Sequence, residues 1–263
     1  MIPSPIRKAL STIRKHRVDH LLMGGQACVL YGAAEFSRDL DLVLLPDPAN
    51  LDRLEAALAE LEADVIAVPP FEMEHLTEGL AVHFRCRQPE VAGLRIDVMT
   101  HLRGVAPFPE LWTRRTTLAF EDETIDVMAL PDLVAAKKTQ RDKDWPMIRR
   151  LVDVNYLSHR DEPTPQQVEF WLHELRSPEL LVEAAQRHAE AAEHLSGERP
   201  LLRFATSDHL ASGALGRALR DEEEAERQLD AAYWKPLREE LERLRKEARR
   251  NPPHDAPAGW ESA

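Results

Sequence analysis

Residues 39–44 read Asp-Leu-Asp-Leu-Val-Leu, an apolar run with two carboxylates set into it at alternate positions. Side chains along a β-strand alternate between its faces. The spacing therefore predicts a strand over residues 40–45, with Asp39 and Asp41 on one face about 6–7 Å apart and Leu40 and Leu42 turned to the core. Burying a carboxylate without compensation costs several kcal/mol, comparable with the whole net stability of a domain. A divalent cation would supply the compensation, since hard cations take oxygen ligands. Gly24-Gly25, separated from Asp39 by thirteen residues, stands between a short apolar run and a helical pattern. Glycines there let the backbone approach a phosphate closely, or simply make a tight strand-to-helix turn.

A third acidic position has the same character. The stretch 94–100 alternates cleanly, with Asp97 on the polar face between Ile96 and Val98. Three carboxylates on two strands are what two-metal phosphoryl or nucleotidyl transfer uses.

The rest of the chain places these residues in an α/β frame. With 263 residues, 43% of them hydrophobic and 30% charged, the chain is globular and has a sizeable core. Up to about residue 130, short Val/Ile/Leu-rich runs at 20–23, 40–45, 65–68, 80–86 and 94–100 alternate with helical patterns at 4–17, 26–31 and from Leu51 to Leu61. Residues 116–128 read as a hairpin around Glu121-Asp122-Glu123. Beyond 130 helices dominate. Asp132 and Asp144 sit where N-caps would, and prolines 163, 165, 178 and 200 divide the segments. A last long helix ends near Arg249, with Leu229, Tyr233, Leu237, Leu241, Leu244 and Ala248 on one stripe and a break or kink at Pro236. The expected organisation is a mixed-sheet α/β (α+β) domain over 1–130, a helical region over 131–250 and a disordered tail over 251–263.

Charge and composition exclude some functions. The formal net charge of -12 argues against non-specific coating of nucleic acid, which needs a basic surface. No uncharged run reaches the length of a membrane span and no signal-peptide pattern opens the chain, so a cytoplasmic protein is expected. Cys28 and Cys86 lack metal spacing and read as small core residues of a reducing compartment. His83 and His101 show no zinc spacing and read as structural or rim residues. Serine-hydrolase, P-loop and Rossmann signatures are missing from the sequence.

Gly-Gly, a spacer, Asp-Leu-Asp-Leu and a later strand aspartate together resemble the nucleotidyltransferase superfamily with the polymerase-β-like fold. The segment 108–151, with Asp132, Leu133, Lys137, Arg141, Lys143 and Asp144 in a "DLxxxK…RxKD" arrangement, is similar to the bacterial branch that includes the AbiEii-type toxins. The resemblance spans about residues 15 to 160. It implies that Asp39, Asp41 and Asp97 are catalytic and metal-binding, with Asp97 the base. It also implies that Gly24, Gly25, Ser37, Arg38, Lys137 and Arg141 bind the nucleotide. Two departures stand out: Gly-Gly where many members have Gly-Ser, and Glu35 where the branch often has arginine.

The implied activity is Mg²⁺- (or Mn²⁺-) dependent transfer of a nucleoside monophosphate from an NTP to a hydroxyl, releasing pyrophosphate. The acceptor is left open among a small molecule such as an aminoglycoside-like antibiotic, a tRNA and a protein, the acidic C-terminal part favouring a cationic small molecule or a protein. One competing reading is a non-catalytic nucleotide- or partner-binding module, as one half of a toxin–antitoxin pair. Another is a metal-dependent phosphohydrolase, distinguished by release of phosphate instead of pyrophosphate.

Overall fold

The structure is a computed structural model and describes residues 3–120, 123–206 and 212–250. The chain forms two compact units, the first from the described parts of residues 1–30, 34–136 and 232–263, the second from 31–33 and 137–231.

In the first unit, helix α1 (Ser4–Lys15) leads into strand β1 (His20–Met23), helix α2 (Gly24–Leu30) and strand β2 (Asp39–Leu44). Helix α3 (Pro48–Glu60), strand β3 (Ala63–Val65), helix α4 (Met73–Thr77) and strands β4 (Val82–Cys86) and β5 (Arg95–Met99) follow. Helix α5 (Phe108–Arg114), strands β6 (Thr116–Phe120) and β7 (Glu123–Val127), helix α6 (Leu130–Ala136) and the part of the chain's last helix from residue 232 on complete it. The strands make one mixed sheet in the order β3-β4-β5-β2-β1-β7-β6. The fold class expected from the sequence is the one observed.

Local chemistry sets the frame of the site. The Asp47 carboxylate caps α3 by accepting the Asn50 N–H at 3.1 Å, with Pro48 behind it where a missing N–H costs little. Asn50 is fully buried; its amide donates to the carbonyls of Asp19 and Leu45 and accepts the Asp19 N–H, tying the start of β1 to the end of β2. β1 and β2 are antiparallel, with Met23 opposite Asp41. Leu40, Leu42 and Leu44 are fully buried, each worth roughly 1.5–3 kcal/mol. A one-residue slip of β2 would turn all three onto the carboxylate face, so the register is strongly specified.

The second unit is helical: α7 (Asp144–His159), α8 (Pro165–Glu174), α9 (Pro178–Arg187), α10 (Ala189–Leu195), α11 (Leu202–Ala205) and the part of α12 (Ser212–Arg250) up to residue 231. Its core pairs Tyr156 edge-on with Trp171 at 5.0 Å, and the Trp171 indole N–H donates to Asn155. Arg176 and Arg199, each with a side chain only 4% exposed, converge on Glu222. Arg199 donates to both Glu222 oxygens, and Arg176 Nη1 lies 3.0 Å from Oε2 without hydrogen-bond alignment.

Several sequence expectations change. α2 begins at Gly24 instead of Gln26, so the double glycine is the helix's first turn. Asp132 is not a cap; it takes a two-point ion pair from Arg114, eighteen residues earlier. Asp144 lies in the first turn of α7 but binds Thr139 and Arg141 through Oδ2 instead of a helix N–H. On α12, Leu229 is 58% exposed while Asp230 is buried, accepting the Gln140 N–H. The helix runs through Pro236 as one element. β6 and β7 form the expected hairpin; residues 121 and 122 and the tail 251–263 lie outside the described residues. Both cysteines are buried free thiols, and burial pushes Cys86 up to about 11. No helix among the described residues is long and apolar enough to cross a membrane.

Candidate active site

Strand pairing assembles the polar face. β2 and β5 are parallel, with Asp39 opposite Arg95 and Asp41 opposite Asp97. β4 is antiparallel to β5, with His83 opposite Asp97. Paired positions on neighbouring strands, about 4.8 Å apart, point the same way. One face of the adjacent strands β4, β5 and β2 therefore carries Asp39, Asp41, Arg95, Asp97, His83 and Arg85. The other carries Leu40, Leu42, Ile96, Val98 and Phe84, all buried. Exposure falls across the acidic set: Asp39 is exposed, Asp41 half-buried and Asp97 only 9% exposed.

Asp97 is held by two cationic or potentially cationic neighbours. Arg95 Nε donates to its Oδ1 at 2.7 Å, and His83 Nδ1 lies 2.9 Å from the same oxygen. Arg95 Nη2 is also 3.1 Å from His83 Nδ1. A single ring nitrogen cannot donate to Asp97 and accept from Arg95 at once, so the tautomer selects one of these contacts. Burial alone would raise the Asp97 carboxyl; the hydrogen bonds from His83 and Arg95, together with their charges, outweigh it and hold the group below its ordinary range. Arg95 keeps its proton firmly through its hydrogen bond to Asp97, against burial and with added support from the charges of Asp97, Asp39 and Asp41. Sequence reading missed both partners. Their signal was parity: Arg95 stands two residues before Asp97, and His83 is one of the polar positions in an otherwise apolar strand.

The double glycine meets the carboxylates from the side. Gly24 has φ +66°, in the left-handed region, and a Cβ there would overlap the Asp41 side chain, including its Cβ. The Gly25 N–H donates to Asp41 Oδ2 at 3.3 Å, and a Cβ on Gly25 would come within 2.6 Å of Ser37 Oγ. Ser37 Oγ in turn donates to the Asp39 carbonyl at 3.2 Å. Gly24, Gly25, Ser37, Asp39 and Asp41 are thus one local cluster, and Arg38 beside them packs over the Phe36 ring at 5.8 Å.

Lys137 and Arg141 belong to the second unit. There Lys137 Nζ is 3.6 Å from Asp144 Oδ1 and Arg141 donates to Oδ2 at 2.8 Å, while Lys138 pairs with Glu174. His101 is exposed. A cleft near the start of β1, lined by Arg7, Arg14, Arg17, His20, Trp112 and Asp126, contains none of the three carboxylates, so it does not mark this chemistry.

The donor set, carboxylate oxygens only, suits a hard divalent cation in kind. Among the described residues, however, no three acidic, histidine or cysteine side chains converge closely enough to hold an ion. Arg95 supplies the positive charge at Asp97.

Residues 19–258 match the family described as nucleotidyl transferase AbiEii toxin, type IV toxin–antitoxin system. The chain belongs to that family. A crystal structure of a proposed nucleotidyltransferase from H. pylori is similar at 14% identity and a TM-score of 0.38, over 86% of this chain and 95% of that one. No curated protein sequence matches the chain.

Proposed function

We propose that the chain transfers a nucleoside monophosphate from an NTP to a hydroxyl of an acceptor, with release of pyrophosphate, and that it acts in this way as the toxin of a toxin–antitoxin pair. The observation that carries the reading is the register of β2 on β5, which pairs Asp41 with Asp97 and sets Asp39 two residues away, next to the Gly24-Gly25 turn. Asp39, Asp41 and Asp97 would hold Mg²⁺ or Mn²⁺; when bound, the ion neutralises triphosphate charge and acidifies the attacking hydroxyl. The side-chain-free surface of Gly24 and Gly25 lets the phosphates approach Asp41 and Ser37. Arg38 adds a positive charge next to Asp39.

The acceptor oxygen forms a bond to the α-phosphorus as the bond to the β-phosphate bridging oxygen breaks, and pyrophosphate departs. Asp97, ionised at neutral pH, takes the hydroxyl proton on its carboxylate. His83 and Arg95 orient that carboxylate while lowering its basicity, so the proton passes on readily. Family membership supports nucleotidyl transfer, and the directly paired acidic positions support turnover over passive binding, because a binding module has no use for a costly acidic cluster.

The test is incubation of the protein with each α-labelled NTP, Mg²⁺ and pools of small molecules, tRNA and protein. Label should enter one pool with stoichiometric pyrophosphate, and Asp41→Asn should abolish both. Release of inorganic phosphate without label transfer would select the hydrolase reading instead.

A further inference from the structure

The loop between α2 and β2 holds the most exposed large apolar side chain among the described residues, Phe36 at 65%. Leaving that much aromatic surface in water forgoes the gain that burial gives an aromatic side chain. Single exposed apolar residues are common and need no explanation by themselves. The position of this one does. Its neighbour Ser37 packs against Gly25 and hydrogen-bonds the Asp39 carbonyl. Phe36 therefore sits one Cα step, about 3.8 Å, from the residue that joins the glycine turn to the first carboxylate. The Arg38 guanidinium lies 5.8 Å from the ring centroid, a cation placed on an aromatic that stays largely open.

We infer that Phe36, with Arg38 packed on it, is the nucleobase platform of the site: the base of the bound NTP stacks on the Phe36 ring while its phosphates occupy the Gly24-Gly25 turn. The inference rests on the nucleotidyltransferase reading and deepens it by assigning the part of the site that contacts the base. Every base has a π-face, so an aromatic ring with a guanidinium beside it binds bases through stacking and tolerates different ones. Phe36 thus adds affinity with little choice among the four bases.

The experiment compares Mg²⁺-dependent binding of the four NTPs and of inorganic tripolyphosphate, by calorimetry, for the wild type, Phe36→Ala and Phe36→Tyr. Phe36 is exposed, so neither substitution should disturb folding, and matched unfolding curves check this. Loss of one stacked base should weaken NTP binding by about tenfold in Phe36→Ala. Phe36→Tyr should restore it, and tripolyphosphate affinity should be the same in all three. If the wild type binds both ligands and Phe36→Ala binds NTP equally well, or loses NTP and tripolyphosphate alike, the platform is overturned while the triphosphate site stands. If the wild type binds neither ligand, the nucleotidyltransferase reading fails and the platform falls with it.

Discussion

At the scale of single residues, Gly24 bears two separate constraints. Its φ of +66° costs an L-residue roughly 1–2 kcal/mol, and a Cβ would overlap the Asp41 side chain, which is anchored on a strand and cannot withdraw. Gly24→Ala should therefore destabilise the fold by about 2 kcal/mol or more and displace Asp41. Thermal unfolding together with NTP binding checks this, and an unchanged melting temperature with unchanged binding would contradict it. The Asp97 contacts belong to the same scale. Arg95 and His83 compensate a nearly buried carboxylate that the sequence suggested a cation must balance. The need for positive charge was legible from the alternation of residues 94–100. Its source was not, because His83 reaches Asp97 only through the pairing of two strands, from fourteen residues earlier in the chain.

At the scale of elements, the second unit turns on Glu222 of α12, which faces two buried guanidinium groups. Burial raises the Glu222 carboxyl, but the Arg199 hydrogen bonds and the charges of Arg199, Arg176 and Lys138 outweigh it, so the folded value lies below the ordinary 4.5. A carboxyl depressed on folding stabilises fully above its unfolded value and loses that contribution as pH falls through the folded one. Glu222→Gln should cost about 3 kcal/mol at pH 7, because two buried cations lose their counter-charge. The gap to wild type should shrink as pH drops below 4.5. Urea unfolding of both proteins at neutral and acid pH measures it; a gap independent of pH would refute the role given to Glu222.

The strands were read most closely, since a period of two over residues 39–44 and 95–99 admits one assignment of faces. Helix starts were read less well for a physical reason. An aspartate before a helical pattern looks the same whether it caps an N–H or pairs with a distant cation. Asp132 does the latter with Arg114, and Asp144 pairs with Arg141 only three residues before it. Leu229 shows the converse error: the expected apolar stripe of α12 includes Leu229, which is exposed, while the buried position of that segment is the neighbouring Asp230.

At the scale of the whole molecule, net charge of -12 sets the general field, and the proposed activity depends on concentrating cations locally against it. Asp39, Asp41 and Asp97 outnumber the arginines paired across these strands, Arg85 and Arg95, so a triphosphate should be repelled unless metal accompanies it. The most direct measurement is thermal-shift titration of each NTP, with and without Mg²⁺, for the wild type and for the Asp39→Asn, Asp41→Asn double variant. The account predicts a rise of a few degrees that needs both NTP and Mg²⁺ and disappears in the double variant. A folded wild type showing no shift with any NTP, or an equal shift in the double variant, would contradict the central claim that these aspartates exist to hold metal and triphosphate.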